Sequence, residues 1–356
     1  MSVESIKEKL LKELILKETL YLKFVNVNIK VVSNSSALIS CLKSYYNRFI
    51  SIDSGESIRI IAIESDNKEF NVNYLIKEPD PGKTRIKEEY IDLEDGRIVR
   101  KVLTGLVFIF GGGTNIACGE CIKNSNQIVN FINNRYIEWM LKNGCLLFHS
   151  AGILGEGLGI AISGFSGAGK STLALNFLDR NFLFLSNDRI MMKRVANKTY
   201  MYGVPKYPRV NPGTLLASPS LMKILKEEER KEFLKIPKDK LWNLEHKYDV
   251  FIEEIFHKEV FILESEINAL IILNWKRVKD PFFIKRIDLS ERTDLIPVFA
   301  KSPGLFFQLS SNDKYNSTDQ SYLKCLENCA VFEITGGIDF NLVRKEIMMI
   351  LRKTKV

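Results

Sequence analysis

Nine consecutive residues have the types and order of a loop that binds phosphate groups. The segment reads Gly164-Phe165-Ser166-Gly167-Ala168-Gly169-Lys170-Ser171-Thr172. Its glycines allow backbone N–H groups to converge on phosphate oxygens, Lys170 is placed to reach the β- and γ-phosphates, and the Ser171 hydroxyl is a ligand for Mg²⁺. The sequence therefore predicts a nucleotide site that also holds Mg²⁺.

The residues on either side of this loop support the prediction. Residues 159–163 read as a buried strand, and the apolar positions Leu173, Leu175 and Phe177 predict a helix that ends near Asn181. A strand, a glycine loop and a helix in this order are the context that the motif needs. The alternative is a glycine-rich turn that binds nothing, and the complete motif in this context disfavours it.

A second group with catalytic chemistry follows the next predicted strand. Residues 182–185 are apolar, and the polar run Ser186-Asn187-Asp188-Arg189 comes directly after them. An acid at the end of such a strand lies beside the phosphates in nucleotide-binding α/β domains, which places Asp188 for catalysis. The alternative is a turn aspartate that caps the following segment.

Composition and charge exclude several classes of protein. The 356 residues favour two domains, each able to bury a core, and 46% hydrophobic residues with 26% charged residues are ordinary for a globular chain. The net charge of +8 is spread among acidic residues, which favours a lysine-rich surface over a nucleic-acid site. Without an apolar span or a signal-peptide pattern, we expect a cytoplasmic location and no membrane partner.

The chain changes character near residue 121. Residues 1–121 read as a mixed α/β domain of unknown role, with a helix at the start, one strand over 25–31 and a hairpin turn at Asp95-Gly96. Residues 122–356 then form the second domain, which begins with a helix over 124–142. Within it, residues 241–250 either cover the site, with Trp242 as an anchor, or pack into the core.

The six cysteines include two close pairs, Cys118 with Cys121 and Cys325 with Cys329. Neither pair is joined by a nearby cysteine or histidine in a zinc-site pattern. Buried thiols are therefore favoured over a metal or redox role.

Three features of the second domain together resemble the HPr kinase/phosphorylase family. His149 opens a strand-turn-strand unit that leads into the glycine loop, Asp188 follows the loop, and Arg189 comes next. The resemblance covers about forty residues, and it is to the divergent HPr-kinase-related kinases. It implies an α/β fold in which a C-terminal P-loop kinase domain, similar to that of phosphoenolpyruvate carboxykinase, follows a mixed α/β N-terminal domain.

The chain departs from the family pattern at two places. Asn187 stands where the family has the first of two aspartates, which removes support for reversal by phosphorolysis. The family's Glu-x-Arg-Gly signature is also absent, and a proline-rich segment over 202–213 carries Lys206 and Arg209 in its place. Because guanidinium and ammonium groups suit phosphate oxygens, Arg189, Lys206 and Arg209 are candidates for binding the γ-phosphate or a negatively charged acceptor. A structural ion pair is the alternative for each arginine.

The leading hypothesis is an ATP-dependent kinase that phosphorylates a hydroxyl group, above all a serine of a protein or peptide. Asp188 is then the base, His149 orients or tunes it, and Lys170 with the loop binds the phosphates. Two alternatives stay open: a kinase for a small molecule such as free serine, and a nucleotide-dependent switch that transfers nothing. The resemblance also implies homo-oligomers.

Overall fold

The computed structural model describes residues 1–354 apart from 13, 67–69, 71, 80–83, 242, 243, 245, 257, 258, 277, 279, 309–312 and 314. Trp242 lies outside the described residues. Contacts divide the chain into two compact units, both of mixed α/β structure. The first unit is Met1–Asn143 with Pro303–Lys314, and the second is Gly144–Ser302 with Tyr315–Val356.

The first unit is built on one eight-stranded sheet. Its helices are α1 (Val3–Leu11), α2 (Ser36–Tyr45) and α3 (Ser125–Lys142), and its strands are β1 (Glu18–Phe24), β2 (Val27–Ser33), β3 (Ile58–Glu64), β4 (Leu75–Ile76), β5 (Glu88–Asp92), β6 (Arg97–Lys101), β7 (Val107–Gly111) and β8 (Thr114–Gly119). The strand order is β1-β2-β3-β8-β7-β6-β5-β4. β3 is parallel to both β2 and β8, whereas the other neighbouring pairs are antiparallel.

Apolar side chains cover both faces of this sheet. Val3 and Ile6 of α1 pack with Ile61, Ile109 and Ile116 on one face. On the other face, the ring of Phe24 contacts Tyr46 at the end of α2 and Tyr136 of α3. Alternation of side chains along a strand sends successive residues to opposite faces, so both faces can be buried by this pattern.

The contact division assigns α3 to the first unit, whereas the sequence placed the boundary before this helix, between 121 and 122. The reason is aromatic packing. Phe131 of α3 lies against Phe108 with ring centroids 4.8 Å apart. The buried face of α3 therefore belongs to the core of the eight-stranded sheet.

A short segment from the C-terminal half of the chain completes this core. The ring of Phe306 packs on those of Phe108 and Phe110, with centroid distances of 5.6 and 5.7 Å. The carbonyl group of Phe306 accepts a hydrogen bond from the buried guanidinium of Arg135, and Arg97 donates to the Leu305 carbonyl oxygen at 2.8 Å. These contacts fix residues 305 and 306 within the first unit.

The second unit carries the predicted site. Its strands are β9 (Leu146–Phe148), β10 (Ser150–Gly155), β11 (Leu158–Gly164), β12 (Leu183–Ser186), β13 (Ile190–Val195), β14 (Lys198–Tyr202), β15 (Arg209–Val210), β16 (Tyr248–Asp249), β17 (Glu264–Glu266), β18 (Ala269–Leu273), β19 (Phe282–Arg286) and β20 (Ala330–Gly336). Its helices are α4 (Lys170–Leu178), α5 (Pro212–Leu216), α6 (Pro219–Met222), α7 (Glu227–Leu234), α8 (Lys238–Leu241), α9 (Ile252–Phe256), α10 (Ile296–Phe299), α11 (Asp319–Leu326) and α12 (Phe340–Thr354).

A six-stranded sheet with the order β12-β10-β11-β18-β20-β19 lies at the centre of this unit. Ile160 and Ile162 of β11 pack on one face with residues of α4 and α12 such as Leu173 and Val343. Ala161, between them, faces the opposite core, which includes residues of β9, β13, α10 and α11. A second sheet, ordered β17-β14-β13-β9, belongs to that side. The central sheet is thus buried on both faces.

Among the described residues, none of the helices combines the length and the apolar character needed to cross a bilayer.

Phe306→Ala should destabilise the first unit by about 2 kcal/mol, because the half-buried ring loses its contacts with Phe108 and Phe110. Urea denaturation measures the loss in the free energy of unfolding. Hydrogen exchange in β7 and α3 then shows whether the loss falls in the first unit. Phe283→Ala is the control, since that ring is 66% exposed. Equal losses in the two variants would show that the Phe306 ring adds nothing to the core of the first unit.

Candidate active site

The topology of the central sheet brings the predicted site residues to one edge. β10 lies between β11 and β12 and is antiparallel to both, so β10 begins at the edge where its two neighbours end. Ser150 pairs with Ser163, and Gly152 pairs with Ser186. His149 before β10, the glycine loop after β11 and Asp188 after β12 therefore share this edge. The predicted loop lies between a strand and a helix, as the motif requires.

The glycine loop, residues 164–169, has a conformation that depends on its glycines. Gly167 and Gly169 have φ angles of +78° and +94°, which side chains with a Cβ rarely adopt. The Trp275 indole donates a hydrogen bond to the Ala168 carbonyl oxygen at 2.7 Å, and a Cβ on Gly169 would lie 2.6 Å from the ring of Phe340. Close packing outside the loop thus holds the backbone in place.

Lys170 is the first residue of α4 and points into the loop. Its ammonium donates to the Gly164 carbonyl oxygen at 2.8 Å, and the residue is only 8% exposed. Burial lowers the pKa of Lys170 to about 8; the negative charge of Asp188 opposes this shift, and the positive charge of Lys301 adds to it. An ammonium enclosed by backbone in this way suits an anionic ligand.

Asp188 lies between two basic side chains. His149 Nε2 is 3.0 Å from one carboxylate oxygen, and Lys301 Nζ is 2.9 Å from the other. Burial raises the pKa of Asp188, but hydrogen bonds and charge from His149 and Lys301 outweigh burial and hold it well below its ordinary value. Because the Asp188 side chain is 52% exposed, water screens both pairs.

Sequence reasoning missed Lys301, which no motif marks. Backbone pairing places it: His149 N–H donates to the Phe299 carbonyl oxygen at 2.7 Å, and Lys301 N–H donates to that of Leu147 at 3.2 Å. An isolated bridge between Phe148 and Ala300 lies between these two bonds. Residues 299–301 thus run beside the end of β9, which brings Lys301 to the carboxylate that His149 contacts.

The three other predicted cations lie in the same charged neighbourhood. Arg189 Nε is 3.9 Å from the Asp188 carboxylate, whereas Arg209 forms an ion pair with Asp249 at 3.0 Å between β15 and β16. Burial lowers the pKa of Lys206, and the charge of Arg189 lowers it further while that of Asp188 opposes the shift. Arg209 therefore forms a structural ion pair with Asp249, which is the alternative that the sequence left open.

The backbone after β14 passes close to β12. A Cβ on Gly203 would lie 2.1 Å from the Leu185 carbonyl oxygen, so only glycine permits this approach. The segment with Lys206 therefore runs past β12, the strand that precedes Asp188.

Oxygen atoms near the loop fit a hydrated Mg²⁺. The Ser171 side chain is half-buried at the start of α4, and the amide oxygen of Asn187 is buried with no hydrogen-bond partner among the described residues. Mg²⁺ takes few protein ligands and completes its octahedron with water and phosphate oxygens, so these two oxygens are compatible with it. Thr172, in contrast, is buried, with its hydroxyl 2.9 Å from that of Thr214.

The cysteines of the two close pairs are buried or partly buried. Cys118 and Cys121 are buried, and burial raises the pKa of the Cys121 thiol. Cys325 is buried as well, and burial raises its pKa to about 12. Within the described ranges, no three His, Cys, Asp or Glu side chains cluster as a metal site would need. A cleft of about 830 Å³ between α6 and α7 contains none of the predicted site residues.

Comparison with known proteins gives similarities to solved structures alone. No family model and no curated protein match the chain. Among solved structures, the chain is similar to one described as the HPr(Ser) kinase/phosphatase from Coxiella burnetii, at 12% identity and a TM-score of 0.32. The match covers 59% of this chain and 92% of that one. The similarity is too slight to assign a fold family, so function must be inferred from the residues themselves.

The affinity for Mg²⁺-ATP should fall as the pH rises through about 8, because the free protein then loses the Lys170 ammonium. The loss should approach roughly tenfold per pH unit when only the protonated form binds. Titration calorimetry at pH 7 to 10 measures it. Lys170→Arg is the matched variant, since a guanidinium stays charged and should flatten the profile. The same slope in both proteins would exclude Lys170 as the titrating group.

Proposed function

We propose that the chain is an ATP-dependent kinase that transfers the γ-phosphoryl group to a hydroxyl group, with a serine of a protein or peptide as the leading acceptor. One observation carries the proposal: Asp188, paired with His149 and Lys301, lies at the sheet edge where the glycine loop and Lys170 also lie. This arrangement has the groups that phosphoryl transfer needs, which are phosphate-binding donors, positive charge and a proton acceptor.

Each residue has a role in the transfer. The loop N–H groups and Lys170 bind the phosphates, and Ser171 and Asn187 supply protein oxygens to Mg²⁺, which neutralises phosphate charge when it is bound. The acceptor oxygen forms a bond to the γ-phosphorus as the bond to the β-phosphate oxygen breaks. The acceptor proton passes to Asp188, and ADP leaves. Arg189 and Lys206 bind negative charge on the γ-phosphate or the acceptor.

The low pKa of Asp188 is compatible with this role. A carboxylate with a depressed pKa is a weak base, but phosphoryl transfer passes through a loose transition state in which the acceptor proton is lost late. Asp188 then serves mainly to orient the acceptor hydroxyl. His149 Nε2, at 3.0 Å, holds the carboxylate in that orientation.

Asp188→Asn should keep ATP binding and lose phosphoryl transfer by at least about a hundredfold, because the neutral amide neither orients the acceptor hydroxyl as a carboxylate does nor takes its proton. The assay incubates the purified protein with γ-labelled ATP and cell extract, and then measures label in protein and in small molecules separately. Asp288→Asn is the control, since this exposed carboxylate accepts hydrogen bonds from Ser290.

The fraction that holds the label decides between acceptors. Label in protein supports the leading acceptor, and label in a small molecule other than ATP and inorganic phosphate supports a metabolite kinase. Hydrolysis of ATP with all of the released label in inorganic phosphate would replace the kinase by a nucleotide-driven switch. ATP binding that is lost in Asp188→Asn would instead make Asp188 a ligand of the nucleotide or its metal.

A further inference from the structure

The Asp188 carboxylate has both of its oxygens engaged. His149 Nε2 lies 3.0 Å from Oδ1, and Lys301 Nζ lies 2.9 Å from Oδ2. Each oxygen keeps a further lone pair, but positive charge on a partner lowers the basicity of the carboxylate. If Asp188 is the base, it becomes a stronger one when a charged partner withdraws.

Lys301 is the partner that is able to move. Within the part of the chain that the structure describes, its ammonium forms an ion pair with Asp188 alone, and the side chain is 24% exposed. Four rotatable bonds separate the ammonium from a backbone that is fixed by pairing to Leu147. The His149 ring, in contrast, is joined to its backbone through a single carbon atom. That backbone is fixed because the His149 N–H donates to the Phe299 carbonyl oxygen.

A terminal phosphate provides the competing anion. Lys301 Nζ lies 2.9 Å from the carboxylate of Asp188, which follows β12 at the sheet edge that also carries the glycine loop. Phosphate oxygens carry more charge than one carboxylate oxygen and form charge-assisted hydrogen bonds with ammonium groups. ADP lacks the terminal group and offers no such competitor at the γ-position.

We propose that Lys301 is a second phosphate-binding ammonium, which leaves Asp188 for the γ-phosphate when ATP binds and thereby frees Oδ2 for the acceptor hydroxyl. This inference rests on the proposed function and adds a nucleotide-dependent step to it. The base is weakened by Lys301 in the free protein and in the ADP complex. It becomes stronger when a transferable phosphoryl group is present.

The test compares triphosphate with diphosphate binding. Titration calorimetry with Mg²⁺-AMP-PNP and with Mg²⁺-ADP gives the ratio of the two affinities. Lys301→Met should lower the affinity for AMP-PNP by about tenfold, the worth of one charge-assisted bond, and change that for ADP less than about twofold. Lys301→Arg should restore most of the ratio because it returns the positive charge.

Lys198→Met is the matched control. Lys198 pairs with the Glu266 carboxylate at 2.6 Å, and it lies at the end of the β13–β14 hairpin away from Asp188. The variant removes a lysine–carboxylate pair of the same kind and should leave both affinities unchanged. Thermal melting of each free variant verifies that it folds.

The outcomes separate this inference from the proposed function. Equal losses for both nucleotides, or no loss for either, in folded Lys301→Met would overturn the role of Lys301 and leave the kinase proposal standing. The expected ratio of the two affinities, with no label transferred from γ-labelled ATP to any acceptor, would support the role of Lys301 and overturn the kinase proposal. A wild-type protein that binds no triphosphate would overturn both.

Discussion

One carboxylate, that of Asp188, balances the positive charges that the second unit gathers at its sheet edge. His149 and Lys301 contact it directly, Arg189 lies 3.9 Å away, and the charge of Lys170 is within its influence. These groups come from four separate segments of the chain. Like charges that converge in this way repel one another unless an anion lies among them, so the site is built around negative charge. Asp188 supplies part of that charge, and a polyphosphate would supply the rest.

The antiparallel strand β10 is what makes the convergence possible. In a sheet with parallel strands alone, the residue before a strand and the residues after its neighbours lie at opposite edges. Here β10 runs against β11 and β12, so His149, which precedes it, meets the groups that follow the other two. The packing of Trp275 and Phe340 on the loop then fixes Lys170 in the same region.

Local patterns in the sequence predicted the elements that depend on neighbours along the chain. The strand before the glycine loop, the helix after it and the placement of Asp188 after an apolar strand are such elements, and each is present. The sequence predicts one strand over residues 25–31, and residues 27–31 lie in β2 with the predicted alternation of burial. Val25 and Asn26 instead form the turn between β1 and β2, with a φ of +55° at Val25. A β-branched residue rarely adopts that conformation, so no turn signal was available.

Lys301 shows why the rest of the site could not be predicted. Its position depends on a bridge between Phe148 and Ala300, residues far apart in the sequence that carry no motif. This backbone pairing cannot be predicted from the sequence, and it also limits how Lys301 can move. Its N–H is bonded to the Leu147 carbonyl oxygen within the second unit. Any exchange of ionic partners by Lys301 must therefore come from its side-chain torsions, which interconvert without disturbing the sheet.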